Sequence, residues 1–186
     1  DAKGKAVLLL KEPGVLAGME VAKNIFEYLE PEAVFTPLKK DGDRMEIGDR
    51  AFEVEAKIHT ILTGERLVLN CMQRMSGIAT LTATYVKLLE GYKTKILDTR
   101  KTTPLFRQME KDAVLIGGGS NHRMGLYDMI MLKDNHIDFC GGIAAAIAKT
   151  KEYLAANNLD LPIEVETRKI ADVRQVLKEG GVHRIM

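Results

Sequence analysis

The chain has 186 residues, and its 27 Lys and Arg residues against 26 Asp and Glu give a formal net charge of +1. Such a balance does not draw a whole protein to nucleic acids or anionic membranes, so we expect neither as a partner. With 46% hydrophobic and 28% charged residues, the composition is typical of a globular protein that buries a core. Aromatic residues make up only 5% and Trp is absent, which leaves little for a base-stacking surface.

Cys71 and Cys140 lie in neither CxxC nor CxxH spacing, which excludes a zinc finger or a redox dithiol. Two reduced cysteines and no long apolar stretch indicate a cytoplasmic location. The chain begins without an initiator Met and ends in what reads as the start of a strand at 184–186. We therefore expect a fragment of a longer protein.

The first 70 residues predict a small sheet with helices packed against it. An apolar run at 7–10 predicts a strand, and an apolar stripe over 18–30 predicts a helix. A third segment, 33–36, and the alternating run 52–58 predict two more strands. We expect residues 1–70 to form an N-terminal α/β sandwich domain that lacks its first residues.

After residue 70 the pattern becomes helical and then alternates. A helix over 60–90 is predicted to break at Ser76-Gly77, where the Ser hydroxyl would cap a second helix. Predicted strands and helices then follow each other along the chain: strands at 95–99, 127–132, 163–166 and 184–186, and helices at 104–115, 141–157 and 169–179. Such alternation predicts a parallel sheet, either half of a (β/α)8 barrel or most of a doubly wound sheet. We favour a truncated, open TIM-like α/β barrel and assign residues 71–186 to the first part of this catalytic domain.

Charged side chains follow the predicted parallel strands at the end where such folds place their chemistry. They occur in 98–103, 133–136 and 164–168, and a glycine triplet at 117–119 leads into His122 and Arg123. From 100 to 133 the chain has six Lys and Arg residues against three acids, a local balance of +3. Because Arg binds carboxylates and phosphates bidentately and Lys supplies a point charge, this region predicts a site for an anion.

Other side chains have simpler readings. Arg107 and Lys111 are spaced i, i+4, which favours the solvated face of a helix. Glu164 and Glu166 point to one face of their strand, where we expect them to meet the basic residues. The glycine triplet matches neither a dinucleotide fingerprint nor a Walker loop.

Several motifs occur together and in order: ERLVLN at 65–70, SGIAT at 76–80, DTRKTTP at 98–104, GGGSNHR at 117–123, KDNHI at 133–137 and EVE at 164–166. In combination they resemble the nicotinate-nucleotide pyrophosphorylase (carboxylating), or quinolinate phosphoribosyltransferase, family. The resemblance extends over the whole chain.

That resemblance implies a pentosyltransferase of NAD biosynthesis. Such an enzyme joins quinolinate to phosphoribosyl pyrophosphate, giving nicotinate mononucleotide, pyrophosphate and carbon dioxide, with Mg²⁺ as cofactor. By family position, Arg100, His122, Arg123 and Lys133 would hold the quinolinate carboxylates, and Lys101 would face the phosphoribosyl donor. Glu166, and less directly Glu164, would support Mg²⁺ or the positive ribosyl carbon. Lys101 and Glu166 are thus the implied catalytic residues, and no metal ligand is assigned.

The resemblance also implies a homodimer with shared active sites, in which Arg66 reaches the partner's site, or a hexamer of dimers. The family usually has Pro-Gly-Leu-Arg where Pro104-Leu105-Phe106-Arg107 stands here, so no role is carried over to Arg107. Two other functions stay open. One is a non-catalytic anion-binding or assembly module on the same scaffold, and the other is a related phosphoribosyltransferase with another substrate.

Overall fold

A computed structural model describes residues 2–186, which divide into two compact units with the boundary between His122 and Arg123. The first unit begins with a small antiparallel sheet in the order β1-β5-β3, made of β1 (Lys3–Leu9), β3 (Val34–Pro37) and β5 (Arg50–Lys57). Two short strands that the sequence did not predict, β2 (Gly14–Val15) and β4 (Arg44–Met45), pair antiparallel.

Two helices complete this sheet's core. Helix α1 (Met19–Leu29) and helix α2 (Ile58–Leu88) bury apolar side chains against β5. The alternation predicted for this strand is observed, because Phe52, Val54 and Ala56 are buried while Glu55 is exposed. The sequence therefore predicted the type and order of β1, α1, β3 and β5 correctly.

The predicted break at Ser76-Gly77 is wrong, since α2 runs uninterrupted from Ile58 to Leu88. The Ser76 hydroxyl does not cap a helix. It accepts a hydrogen bond from the Ala17 N–H at 3.0 Å and donates one to the Ala17 carbonyl at 3.2 Å. The hydroxyl thus joins α2 to the segment before α1, and the predicted domain boundary at residue 70 lies within one continuous helix.

Helix α3 (Arg107–Ile116) packs against the second half of α2 through Ala79 and Ala113. The strand predicted at 95–99 is wrong. Only an isolated parallel bridge between Leu97 and Ser120 forms there, because the neighbour of this segment is the glycine loop rather than another strand.

The second unit is a parallel α/β layer. Its strands β6 (Ile130–Leu132), β7 (Ile163–Val165) and β8 (Arg184–Ile185) lie in the order β6-β7-β8. Helices α5 (Ile143–Ala156) and α6 (Ile170–Glu179) connect these strands, and α4 (Asp134–Cys140) is a short helix that the sequence did not predict. Buried Ile147, Val165 and Val176 belong to its core. This repeated strand–helix order is the one predicted for the opening part of an α/β barrel.

Candidate functional site

In the first unit, the main chain around Asp98 is paired with the loop that follows the glycine triplet. Ser120 donates from its N–H to the Ile96 carbonyl at 2.8 Å, and the Asp98 N–H donates to the Ser120 carbonyl at 3.2 Å. The segment that carries Arg100 and Lys101 is therefore hydrogen-bonded to the segment that carries His122.

The glycine triplet is a packing requirement. A β-carbon at Gly117 would lie 2.5 Å from the Ala79 carbonyl oxygen, and one at Gly119 would lie 2.8 Å from the Val114 side chain. Gly118 has a φ of +87°, a conformation that favours glycine. The loop thus approaches α2 and α3 more closely than any side chain would permit.

A buried ion pair lies directly behind this loop. Lys111 was predicted on a solvated helix face, and this is wrong: its side chain is fully buried and its ammonium group pairs with Asp98. The same carboxylate oxygen of Asp98 accepts the His122 N–H at 2.8 Å, and Lys111 Nζ donates to the His122 carbonyl at 3.0 Å. The i, i+4 spacing gave no sign of this burial, because it does not show that the side of α3 carrying Lys111 packs inward.

Glu110 holds the threonine segment that follows Lys101. Its carboxylate accepts hydrogen bonds from the Thr103 hydroxyl at 2.9 Å and the Thr103 N–H at 3.2 Å, and also from the Arg74 guanidinium at 2.7 and 3.0 Å. Burial acts to raise the pKa of Glu110, but the hydrogen bonds from Arg74 and Thr103 outweigh it and lower that pKa. The carboxylate therefore stays charged and keeps the segment in place.

Three of the predicted site residues in the first unit are cations that a ligand could reach. Arg100 has a buried Nε atom without a hydrogen-bond partner among residues 2–186. Lys101 is exposed, and Arg66 is exposed on α2. A buried guanidinium nitrogen without an acceptor is costly, so Arg100 is suited to receive a carboxylate or phosphate oxygen.

In the second unit, Lys133 lies between the last residue of β6 and the first residue of α4, at the strand end where the sequence predicted it. Its side chain is exposed, and its main-chain N–H donates to His136 Nδ1 at 3.1 Å. Glu166 follows β7, and one of its carboxylate oxygens accepts the Asp134 N–H at 3.3 Å. Lys133 and Glu166 therefore lie at the same end of adjacent parallel strands.

Glu164 differs from Glu166. It is inside β7, only 1% exposed, and accepts a hydrogen bond from Arg184 of β8 at 3.0 Å. This ion pair accounts for a carboxylate buried within a sheet, since an unpaired charge there would be strongly unfavourable. A direct role toward a metal or sugar suits Glu166 better.

Arg123 is 9% exposed, and no carboxylate of residues 2–186 pairs with it. Its guanidinium has two weak protein contacts, the Met129 carbonyl at 3.5 Å and the Met131 sulfur at 3.4 Å. A buried guanidinium with such partners is suited to an anionic ligand.

Arg168, which no motif singled out, joins the loop after β7 to α4. It donates to both carboxylate oxygens of Asp138, at 3.2 and 2.8 Å, and lies 3.5 Å from Asp134. The hydrogen bonds with Arg168 lower the pKa of Asp138, and Asp138 in turn raises the pKa of Arg168. These groups border a cleft of about 300 Å³ whose lining includes four carboxylates, those of Asp134, Asp138, Glu166 and Asp172.

Among residues 2–186, no group of three or more possible ligands forms a ready-made metal site. The donors nevertheless suit Mg²⁺, which takes one or two carboxylates and completes its shell with water and substrate phosphates. Glu166 fits this role, because it is a half-buried carboxylate of the cleft that directly follows β7.

Cationic side chains after the strands of a parallel α/β layer are typical of proteins that bind anionic ligands at their strand ends, and the comparisons specify the family. Residues 1–76 match the description "Quinolinate phosphoribosyl transferase, N-terminal domain", and residues 78–186 match "Quinolinate phosphoribosyl transferase, C-terminal domain". The chain belongs to the quinolinate phosphoribosyltransferase family.

Curated relatives support this membership. The chain is 47% identical over 180 residues to a chloroplastic nicotinate-nucleotide pyrophosphorylase (carboxylating) from Arabidopsis thaliana, an alignment that covers 96% of this chain and 51% of the relative. It is 42% identical over 177 residues to a probable nicotinate-nucleotide pyrophosphorylase (carboxylating) from Bacillus subtilis, with 95% and 60% covered. The chain thus spans about half the length of the plant relative.

A solved structure has the same fold. NadC from Streptococcus pyogenes superposes with a TM-score of 0.90 at 42% identity, covering 99% of this chain and 64% of that one. The predicted fold class, an N-terminal α/β sandwich followed by an open α/β barrel of which the chain holds a part, is therefore confirmed. The boundary at residue 70 stays a prediction.

No helix of residues 2–186 is long and apolar enough to cross a membrane. Relatives include proteins named as chloroplastic and as mitochondrial. The predicted cytoplasmic location therefore stays a prediction.

Proposed function

We propose that this chain belongs to an enzyme that joins quinolinate to phosphoribosyl pyrophosphate with loss of carbon dioxide. The products are nicotinate mononucleotide, pyrophosphate and carbon dioxide. The observation that carries the proposal is the Arg100 guanidinium, whose buried Nε has no acceptor within the described chain, at a position where the family motif DTRKTTP is intact.

In this proposal, Arg100, His122, Arg123 and Lys133 bind the two carboxylates of quinolinate. Arg123 supports this assignment, because it is buried and yet is paired with no acidic side chain among residues 2–186. Arginine offers paired N–H donors that match a carboxylate, and the lysine adds a charge that is exposed in the free protein.

The charges also suit the sugar chemistry. As pyrophosphate leaves, the sugar carbon gains positive character, which a carboxylate at Glu166 stabilises, while Lys101 holds the phosphoribosyl donor. Mg²⁺, held by Glu166 and by substrate phosphates, would offset the charge of the departing pyrophosphate. Glu166 is available for this role. One of its carboxylate oxygens accepts a hydrogen bond from the Asp134 N–H, and the other has no protein donor among residues 2–186.

Decarboxylation follows from the first step. Attachment of the sugar makes the pyridine nitrogen positive, so that loss of the adjacent carboxylate as carbon dioxide leaves an electron pair next to that charge, and a proton then takes its place. No separate electron-accepting cofactor is required for this step. The protein's contribution is to hold the ring through both carboxylates and to keep the donor aligned.

We further propose a homodimer with shared active sites, or a hexamer of dimers, in which Arg66 serves the partner's site. The exposed position of Arg66 on α2, without an ion-pair partner among residues 2–186, supports this.

Calorimetric titration of the intact protein tests the substrate assignment. Quinolinate is expected to bind at least tenfold more tightly than nicotinate, which lacks one of the two carboxylates. Equal affinities would contradict a site built for a dicarboxylate and would favour a related transferase with another substrate.

A further inference from the structure

His122 is unusual because both of its main-chain polar groups are bound by one buried ion pair. Its N–H donates to Asp98 at 2.8 Å, and its carbonyl accepts from Lys111 Nζ at 3.0 Å. The Lys111 side chain has no exposed surface and that of Asp98 is 7% exposed. The pair therefore lies inside the first unit and is closed to any ligand.

Asn121 completes the arrangement. With its amide oriented so that the nitrogen faces the acceptors, it donates to the second oxygen of Asp98 and to the main-chain carbonyl of Lys111, the latter at 3.0 Å. Both carboxylate oxygens of Asp98 are then bound by the segment 121–122 and by Lys111. The pair fixes this segment against both α3 and the chain around Asp98.

General stability is a poor explanation for such a pair. Replacing a buried ion pair with apolar side chains of similar volume is often neutral or stabilising, because removing two charges from water is costly. The Ser120 hydrogen bonds to the chain around Asp98 already hold the loop in place. The pair adds a defined position for the His122 main chain, two residues beyond Ser120 along the loop.

Building on the function proposed above, we propose that Asp98 and Lys111 are positioning residues that set the His122 main chain relative to Arg100. Asp98 is two residues before Arg100. Its carboxylate therefore links the segment that carries Arg100 to the segment that carries His122. Neither residue touches the substrate. Their effect is expected on quinolinate binding and not on affinity for the phosphoribosyl donor, which we assign to Lys101.

The test compares variants of the intact protein. Lys111→Met removes the donor to His122 but leaves Asp98 as a buried unpaired charge, so the double variant Asp98→Asn/Lys111→Met is made beside it. The Asn side chain keeps an acceptor for the His122 N–H, and no unpaired charge stays buried. Val68→Ala, in the apolar core of the same unit, serves as the control for lost stability, and Lys5→Met, at an exposed ion pair on β1, as the control for lost charge.

Three quantities are measured for each variant: the quinolinate dissociation constant, the KM for phosphoribosyl pyrophosphate and the exchange rate of the His122 amide hydrogen. The double variant should raise the quinolinate dissociation constant at least tenfold, leave the donor KM within twofold and speed His122 amide exchange. Val68→Ala and Lys5→Met should change the quinolinate constant less than twofold.

The outcomes separate this role from the proposed function. If the unsubstituted protein binds quinolinate and the double variant binds it equally well, the positioning role is wrong and the proposed function stands. A loss of quinolinate affinity of the same size in Val68→Ala would also overturn the positioning role, since general destabilisation would then explain it. If the unsubstituted protein binds no quinolinate, the proposed function is wrong and the positioning role falls with it.

Discussion

Glu110 holds Thr103 at two points, since one carboxylate accepts both the main-chain N–H and the hydroxyl of that residue. Thr103 lies in the motif that carries Arg100 and Lys101, whereas Glu110 is on α3, so the contact connects the segment of the proposed substrate-binding residues to a helix. Arg74 of α2 binds the same carboxylate. Two helices therefore determine where this segment lies.

Glu110→Gln should destabilise the protein by about 1–3 kcal/mol at pH 7, because a hydrogen-bonded charge is replaced by an amide with one acceptor fewer. The lowered pKa of Glu110 adds a pH dependence. A carboxyl group whose folded pKa is depressed contributes fully above its ordinary value of 4.5, and the contribution is lost as the pH falls through the depressed value.

Urea unfolding of both proteins at pH 7 and at decreasing pH measures this difference. The difference in the free energy of unfolding should narrow as the pH falls below 4.5, where Glu110 begins to bind a proton in the unfolded chain while it is still charged in the folded protein. Glu32→Gln is the matched control and should show little change, because Glu32 lies at an exposed turn and makes no side-chain hydrogen bond within residues 2–186. A gap that stays constant down to acid pH would contradict this account of Glu110.

Leu105 stands where the family usually has glycine, and its backbone is left-handed with a φ of +62°. Its side chain is fully exposed and gains no packing energy in return. A left-handed backbone costs a non-glycine residue about 1–2 kcal/mol, which glycine would avoid. Glycine's greater conformational freedom in the unfolded chain reduces this gain in stability by about 0.4–1 kcal/mol. Leu105→Gly should therefore stabilise the protein by about 0.5–1 kcal/mol.

Denaturant midpoints of the two proteins provide the measurement. Asn158→Gly is the control, since Asn158 is also left-handed, with a φ of +51°, but asparagine tolerates this conformation better than leucine does. Its gain should be the smaller one. Destabilisation by Leu105→Gly would show that the leucine side chain makes a contact that offsets its strain.

Glu166→Gln should lower turnover by more than tenfold and change quinolinate affinity by less than threefold. A carboxylate matters most when positive charge develops on the sugar, so its loss acts on the transition state. Steady-state rates and quinolinate affinity are measured on one preparation, with Glu152→Gln, exposed on α5, as the control. A change confined to affinity would argue against a catalytic role.

If sites are shared between subunits, Arg66→Ala and Arg123→Ala proteins should each be nearly inactive and should recover activity when co-refolded. In a mixed dimer, one site carries both substitutions and the other carries neither, so random pairing restores about a quarter of all sites. Subunit exchange is confirmed by mass. A mixed sample as inactive as its parents would show that Arg66 does not act across an interface.

Local sequence patterns predicted most of the secondary structure, because in these segments the spacing of apolar residues matches the face that is buried. The alternation in β5 and the strand–helix order of the second unit both reflect a buried face that the sequence shows directly. The failures involve tertiary contacts. Ser76-Gly77 was taken for a break because a Ser–Gly pair favours caps, whereas the hydroxyl binds Ala17 from within a continuous helix.

The charged site was predicted less completely. Strand-end position and motif resemblance indicated Lys133 and Glu166. The motif resemblance alone supports Arg100 and Lys101, since only an isolated bridge at Leu97 precedes them, and sequence spacing placed Lys111 in solvent. A lysine's burial depends on a partner distant in sequence, here Asp98, and spacing within one helix does not reveal it. The roles of Arg168 and Glu110 were missed for the same reason, since each acts through a contact with another element.

The central claim is the decarboxylating transfer itself, and release of labelled carbon dioxide tests it most directly. The intact protein is supplied with Mg²⁺ and with quinolinate labelled in the carboxylate next to the ring nitrogen. We expect release only when phosphoribosyl pyrophosphate is present, with one pyrophosphate and one nicotinate mononucleotide formed for each carbon dioxide, and a strongly reduced rate in Glu166→Gln. If the unsubstituted protein binds quinolinate but releases no labelled carbon dioxide, the proposed function is contradicted and a non-catalytic anion-binding module is favoured.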